Sequence, residues 1–136
     1  MKINEVMSRD VEVANPQDTI QSVAQRMAKG DFGFMPVCDG QRLQGTVTDR
    51  DLTVRALAEG KSFDTPVAEV MSRDVHWLRE GEDVKTALEF MGDKQIRRLP
   101  VIDESDRLVG VVALGDLART GKDRHAGDAL QDISKP

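Results

Sequence analysis

The chain has 136 residues, of which 39% are hydrophobic and 32% charged, and its formal net charge at pH 7 is −5. This composition is typical of a globular protein, and no apolar run approaches the length of a membrane span. The acidic balance argues against a general nucleic-acid binder, which needs a basic face. The first residues lack the apolar stretch of a secretory signal, so we expect a cytoplasmic protein. From the acidic charge and the short apolar runs we expect no nucleic-acid partner and no membrane partner.

Side chains that bind metals or perform catalysis are sparse. Cys38 is the single cysteine, which excludes an intrachain disulfide and a thiolate cluster, and we expect it to be a buried, inert thiol. His76 and His125 are far apart and lack the HxxxH spacing, so no metal site is predicted. Since these residues assemble no nucleophile–base pair, we predict that the protein is not an enzyme and has no catalytic cofactor.

The strongest signal is an internal repeat. The heptapeptide Glu5–Val11 recurs unchanged as Glu69–Val75, at an offset of 64 residues. At the same offset, apolar residues with i, i+3, i+4, i+7 spacing predict one amphipathic helix in each copy. We divide the chain into a first repeat (1–62), a second repeat (63–120) and a polar C-terminal tail (121–136).

Taken in chain order, each copy is predicted to be β-α-β-β-α, which gives a mixed α/β (α+β) fold class. The first helix of the first copy should have Asn15 as its N-cap. Two strands then form a hairpin around Pro36 in one copy and Pro100 in the other. Each hairpin leads to a second helix that begins near Asp51 or Asp116.

The start of the second helix in the first copy carries the most suggestive side chains. Thr48 can donate its hydroxyl to a phosphate, and Asp51 can accept hydrogen bonds from the vicinal hydroxyls of a ribose. Either Arg50 or Arg55 can balance phosphate charge. Thr48 and Asp51 also fit a capping box, in which each side chain accepts the backbone N–H of the other residue. On these residues alone, we favour the capping box.

The turn of the second hairpin is one residue longer, which raises the offset to 65 and aligns Gly45 with Gly110. At this offset the second copy has Ala113 in place of Thr48 but keeps the carboxylate as Asp116. A carboxylate useful only for capping should gain little opposite an alanine, although any acid in the first helical turn gains from the helix dipole. A ligand role and an electrostatic role for Asp116 therefore remain as alternatives.

Arg97 and Arg98 stand in the second copy where the first has Gly33 and Phe34. Adjacent residues of a strand point to opposite faces, so one of the two arginines should face inward or into a cleft. An arginine buried there requires an anion, which is either a carboxylate of this protein or a ligand phosphate.

In their order and in two copies, these motifs resemble the paired cystathionine-β-synthase (CBS) domain proteins in their stand-alone form. The resemblance covers about residues 3–120 and rests on the Val-Met-Ser openings, the Pro-Val segments after Met35 and Leu99, and the Gly-x-x-Thr-x-x-Asp element Gly45–Asp51. It implies two units packed sheet to sheet about a pseudo-twofold axis, with clefts that bind AMP, ADP, ATP, NAD or S-adenosylmethionine. It also implies a homodimer.

The resemblance assigns site residues one by one. The ribose-binding aspartate falls on Asp51 and Asp116, the hydroxyl or phosphate contact on Thr48, and the contacts to adenine on Val11, Val75, Phe34 and Arg98. Because Ala113 departs from the pattern, the second cleft is expected to bind differently, weakly or not at all, with Arg97 or Arg98 compensating if it binds a phosphate.

These assignments predict a regulatory sensor of adenine nucleotides, concerned with energy or stress status. Ligand occupancy would change its conformation or dimer geometry, and an unidentified protein partner would read the change. The alternative is a structural or interaction dimer with empty clefts and no ligand.

Overall fold

The computed structural model describes residues 1–118, so the polar tail 121–136 and His125 lie outside the described residues. The chain forms two compact units. The central unit is Glu12–Val75, and the C-terminal unit joins Met1–Val11 to the chain from His76 onward. Between residues 1 and 118, no helix is both long and apolar enough to cross a membrane. The cytoplasmic location stays a prediction.

The central unit is built on an antiparallel hairpin. Strand β1 (Phe34–Asp39) pairs with β2 (Arg42–Thr48), and helix α1 (Ile20–Gly30) precedes them. A helical turn, α2 (Asp49–Asp51), follows β2 and continues as the π-helical segment Leu52–Leu57. One apolar core joins these elements; it includes Val23, Met27, Met35, Val37, Val47 and Ala56.

The C-terminal unit repeats this plan with a three-stranded sheet. The short strand β3 (Leu78–Arg79) lies parallel to β4 (Arg98–Ile102), which pairs antiparallel with β5 (Leu108–Ala113). Helix α3 (Val84–Lys94) lies between β3 and β4 in the chain, and α4 (Leu114–Ala118) follows β5. Its core includes Ile3, Leu88, Met91, Leu99, Val112 and Leu117.

The predicted hairpins and helices of both copies are confirmed, whereas the first strand of each is weaker than expected. In the second copy it has only the two residues of β3. In the first copy it is a single parallel bridge between Ala14 and Val37. The mixed α/β class is confirmed.

The prediction of Asn15 as the N-cap of α1 was wrong. The cap is Thr19, whose Oγ1 accepts the N–H of Ser22 at 3.1 Å. Asn15 instead closes a turn before the helix, because its side-chain oxygen accepts the N–H of Gln17 at 2.9 Å and its own N–H donates to Asp18. A polar residue before Pro16 fits both roles, and the sequence does not distinguish them.

The compact units do not follow the repeat boundary at 62/63, because each opening segment joins the hairpin of the other repeat. Ser8 exchanges two backbone hydrogen bonds of 2.9 Å with Val111 of β5. Ser72 exchanges bonds of 2.8 and 3.0 Å with Thr46 of β2. Since the two heptapeptides are identical, the sequence cannot show which hairpin each one joins.

Cys38 is buried in β1, with 3% of its surface exposed, as predicted. Burial raises the pKa of its thiol to about 11, because the apolar surroundings disfavour the thiolate. The thiolate is the reactive form of cysteine, so the native thiol is unreactive near neutral pH.

Candidate functional site

The junction of β2 and α2 contains a complete capping box. The Thr48 hydroxyl accepts the N–H of Asp51 at 3.1 Å, and Oδ2 of Asp51 accepts the N–H of Thr48 at 2.9 Å. Both residues are half-buried. Within residues 1–118, the hydrogen bonds of the Asp51 carboxylate use Oδ2 alone.

Half of the same box persists at the junction of β5 and α4. Oδ2 of Asp116 accepts the backbone N–H of Ala113 at 3.1 Å, although alanine has no hydroxyl to return the bond. The expectation that a capping carboxylate gains little opposite Ala113 was therefore wrong. The carboxylate bonds to the backbone of the residue that it faces, and every residue except proline has that N–H.

One backbone bond in each unit joins the helix start to the beginning of the hairpin. The N–H of Asp49 donates to the carbonyl of Gly33 at 3.0 Å, and the N–H of Leu114 donates to that of Arg97 at 2.8 Å. In the strand register, Phe34 is opposite Thr48 and Arg98 is opposite Ala113. The structure therefore brings Phe34 beside the Asp51 junction, and Arg97 and Arg98 beside the Asp116 junction.

Arg97 and Arg98 are both exposed, so the expectation that one of them faces inward was wrong, whereas the alternative that one of them faces a cleft stays a prediction. Strand β4 begins at Arg98, and Arg97 lies ahead of it, where the alternation of strand faces does not apply. Neither guanidinium has a hydrogen bond or an ion pair with any residue between 1 and 118.

Because each opening segment joins the hairpin of the other repeat, the remaining predicted site residues lie in different units. Val75 is half-buried and belongs to the central unit, with Asp51, while Val11 is half-buried and belongs to the C-terminal unit, with Asp116. Arg50 is exposed, and its backbone N–H donates to Oδ1 of Asp49 at 2.9 Å.

The prediction of site residues missed Asp49 of the central unit. Its carboxylate lies over Gly33, where a Cβ atom would stand only 2.7 Å from Oδ2. Aligning the copies gives a signal for it, because Gly33 with Asp49 corresponds to Arg97 with Leu114. Arg55, the other candidate for balancing phosphate charge, donates from its guanidinium to the carbonyl of Met71 in the opening segment at 3.3 Å.

A cavity of about 560 Å³ in the C-terminal unit lies away from these residues. It is lined by Asn4 and by residues of the segments 79–82 and 102–107. None of the nine predicted ligand-binding residues belongs to its lining.

The sequence profile of the CBS domain matches residues 3–57 and 67–123. The chain belongs to the CBS domain family. It is 39% identical to the CBS domain-containing protein YhcV of Bacillus subtilis over 133 residues, which are 97% of this chain and 94% of that protein. Hypoxic response protein 1 of Mycobacterium tuberculosis is 36% identical over 117 residues, 85% of this chain and 81% of that protein.

Solved structures of CBS domain pairs have the same fold. Hypoxic Response Protein I with two coordinated zinc ions has a TM-score of 0.80 at 34% identity, covering 88% of this chain and 98% of that one. The CBS domain pair of protein MJ0100 in complex with 5′-methylthioadenosine and S-adenosyl-L-methionine has a TM-score of 0.78 at 27% identity, covering 89% and 99%. The resemblance noted from the motifs is confirmed.

The zinc ions of Hypoxic Response Protein I raise the question of a metal site in this CBS domain chain. Among residues 1–118, no three or more His, Cys, Asp or Glu side chains are grouped so that they could hold a metal ion. The His76 ring packs edge-on against Phe90, with 5.8 Å between ring centroids. The described residues thus do not fit a metal centre.

Proposed function

We propose that the chain is a regulatory module that binds an adenosine-containing ligand beside Asp51, beside Asp116 or at both, and that a partner protein reads the occupancy. The observation that carries this proposal is the fixed carboxylate of Asp51. Its Oδ2 is held by the Thr48 N–H, while Oδ1 has no partner among residues 1–118. A carboxylate already ordered by the backbone loses little side-chain entropy when it accepts a hydrogen bond from a ribose hydroxyl.

The equivalent position of Asp116 supports a second site of the same kind. Its Oδ2 is held by a backbone N–H three residues earlier, as in Asp51, so both carboxylates accept the same backbone bond. The Thr48 hydroxyl, which caps the helix in the central unit, has no counterpart at Ala113. We therefore expect the two sites to differ in affinity.

A relative of the same family supports the proposed class of ligand. The MJ0100 pair, at 27% identity, binds 5′-methylthioadenosine and S-adenosyl-L-methionine, which share an adenosine and differ at the 5′ position. This supports adenosine as the common part of the ligand. AMP, ADP, ATP, NAD and S-adenosylmethionine are the candidates that a binding experiment has to separate.

Catalysis forms no part of the proposal. The candidate sites contain carboxylates held by backbone N–H groups and exposed arginines, but they offer no nucleophile with a neighbouring base. Turnover of ATP that is abolished by Asp51→Ala would contradict this assignment.

A thermal-shift panel of the five candidate ligands tests the proposal on the full chain. A ligand that binds the folded state alone raises the melting temperature once its concentration exceeds the dissociation constant. We expect at least one ligand to stabilise the wild type, and Asp51→Asn or Asp116→Asn to reduce that shift. Asparagine can still accept the capping N–H, so the variants should fold.

Asp64→Asn is the matched control, because Asp64 is an exposed aspartate of the central unit away from both junctions. It removes the same charge and should leave the ligand shift unchanged. No shift with any of the five ligands would overturn the proposal.

A second candidate function, a structural or interaction dimer with empty clefts, is favoured by exposed apolar side chains. Val54 and Leu57 lie three residues apart on the π-helical segment, with 41% and 75% of their surfaces exposed. Analytical ultracentrifugation of the wild type and Leu57→Glu tests it. A dimer that dissociates in the variant supports this function, whereas a monomeric wild type rules it out.

A further inference from the structure

The two candidate sites share equivalent backbone hydrogen bonds, but the side chains around them differ in the sign of their net charge. The opening heptapeptides are identical and contribute equally to both units. The charge difference therefore comes from two stretches in each unit. These are the residues that lead into the hairpin and the residues at the start of the following helix. In the central unit these stretches are 31–34 and 48–51, and in the C-terminal unit they are 95–98 and 113–116.

Before the hairpin, the central unit has one acid and no base, since Asp31 is followed by Phe32, Gly33 and Phe34. The C-terminal unit has two bases and no acid there, namely Arg97 and Arg98 after Gln95 and Ile96. Both arginines are exposed, and neither has an anionic partner among residues 1–118. Two unpaired guanidinium groups beside a ligand carboxylate site favour a phosphate, to which arginine donates bidentate hydrogen bonds.

At the helix start, the central unit adds a second carboxylate at the place where the C-terminal unit has an apolar side chain. Oδ2 of Asp49 lies 2.7 Å from the position of a Cβ on Gly33, so the carboxylate occupies the space into which an arginine at position 33 would extend. The equivalent residue of Asp49 is Leu114, so the junction beside Arg97 has one carboxylate, Asp116, where the central unit has two. Two carboxylates near the ribose repel a phosphate in the central unit.

Cations are also present in the central unit, and two of them donate to backbone carbonyls. Arg55 donates to the Met71 carbonyl at 3.3 Å, and Arg73 donates to the Ala68 carbonyl at 3.3 Å. Arg50 is exposed on the helical turn and lies between Asp49 and Asp51 in the sequence. It is therefore flanked by two acids, whereas Arg97 and Arg98 adjoin no acid in the sequence.

We infer that the two sites select ligands by charge: the C-terminal unit binds an adenosine ligand that carries a phosphate, and the central unit binds one without a phosphate. Arg97 and Arg98 are the specificity-determining residues. The inference rests on the proposed function, since it requires that both junctions bind adenosine.

Isothermal titration calorimetry with AMP and with adenosine, on the full chain, tests the inference. For Arg97→Gln/Arg98→Gln we expect AMP to bind at least about tenfold more weakly, and adenosine to bind within about twofold of wild type, because the loss involves charge-assisted bonds to the phosphate alone. Raising the ionic strength should weaken AMP binding to wild type more than adenosine binding. Asp116→Asn should weaken AMP binding, since it alters the unit that takes the phosphate.

Two further double variants separate the effect of positive charge in general from the effect of the charges at positions 97 and 98. Lys29→Gln/Lys85→Gln removes two positive charges from exposed lysines on α1 and α3 and should keep wild-type affinity for AMP. Arg97→Lys/Arg98→Lys keeps the charge and should restore part of the AMP affinity. Melting temperatures of all variants check that they are folded.

The outcomes distinguish this inference from the proposed function. If AMP and adenosine both bind but Arg97→Gln/Arg98→Gln leaves AMP affinity unchanged, the charge selection is wrong and the adenosine module stands. AMP binding that is lost in Asp51→Asn and kept in Asp116→Asn would also overturn the inference. If neither compound binds the wild type, the inference fails, and the proposed function fails with it only when none of the five candidate ligands shifts the melting temperature.

Discussion

The sulfur of Met7 lies 2.8 Å from the position that a Cβ atom of Gly110 would occupy. The carbonyl of Ser8 would be 2.7 Å from the same atom. In the central unit, Met71 and its neighbour Ser72 have the same relationship to Gly45, at 2.8 and 2.6 Å. Each opening segment therefore docks on a strand at a glycine, and the absence of a side chain lets the two backbones approach.

Gly45→Ala and Gly110→Ala should each lower the free energy of unfolding by about 1–3 kcal/mol, because the new methyl group meets backbone and a packed methionine. Urea denaturation measures the change. Gly115→Ala on α4 is the matched control, since its Cβ would meet nothing within 4 Å. It should stabilise the chain by about 0.5–1 kcal/mol. Equal effects at Gly45, Gly110 and Gly115 would contradict the docking described above.

A single substitution can remove the hydroxyl from the complete capping box or add a hydroxyl to the partial one. Thr48→Ala removes the hydroxyl that accepts the Asp51 N–H and should cost about 1 kcal/mol of stability. Ala113→Thr places a hydroxyl at the equivalent position of the second helix start and should raise stability by about 0.5–1 kcal/mol, since threonine is a better N-cap than alanine. Urea denaturation of the two single variants and the double variant gives the balance. An Ala113→Thr variant no more stable than wild type would show that the second helix start lacks the geometry of the first.

Much of the fold followed from the sequence because the repeat allowed each element to be predicted twice. The offsets that align Pro36 with Pro100 and Gly45 with Gly110 placed both hairpins, and amphipathic spacing placed α1 and α3. The first strands were overestimated, since only Ala14 in one copy and two residues in the other form bridges. Their short pairing depends on tertiary position, which local propensity does not encode.

The sequence predicted which residues belong to the candidate sites better than it predicted which unit each residue belongs to. The assignment of Thr48, Asp51 and Asp116 to helix starts was confirmed, but Val11 and Val75 could not be allocated to a unit from identical heptapeptides. The exposure of Arg97 could not be foreseen either. The alternation of strand faces would apply to Arg97 if β4 began two residues earlier, but the strand begins at Arg98.

Cys38 should make stability depend on pH in the alkaline range. The pKa of its thiol is raised from 9.0 in the unfolded chain to about 11 in the folded one. The folded state therefore holds the proton more tightly. Its stabilising contribution is fully present below pH about 9 and is lost as the pH rises towards 11, by at most about 3 kcal/mol.

Denaturation of wild type and Cys38→Ala across this pH range measures the effect. The alanine variant loses packing by a constant amount at every pH, whereas the thiol contribution disappears with rising pH. The difference in stability between the two proteins should therefore shrink as the pH approaches 11. A difference that stays constant would show that the thiol is not protected by burial.

Arg79 ties the turn after β4 to the single tryptophan of the chain. Its guanidinium donates to the carbonyl of Asp103 at 2.7 Å and to Oδ1 of Asp106 at 2.9 Å, and its carbon lies 5.0 Å from the centre of the Trp77 ring. Arg79→Met keeps the aliphatic stem and removes these contacts. We expect a loss of about 1–2 kcal/mol, from two hydrogen bonds and one cation–π contact at a half-exposed position.

Arg107→Met is the matched control, because Arg107 pairs through one exposed contact of 3.1 Å with Asp103. An exposed pair four residues apart contributes about 0.5 kcal/mol or less, so this variant should remain close to wild type in urea denaturation. Trp77 fluorescence adds a local readout, since the chain has no other tryptophan. Arg79→Met should change the emission of the folded protein and Arg107→Met should not, because only Arg79 lies over the indole. Equal stability and equal emission in the two variants would show that the Arg79 contacts do not hold the turn.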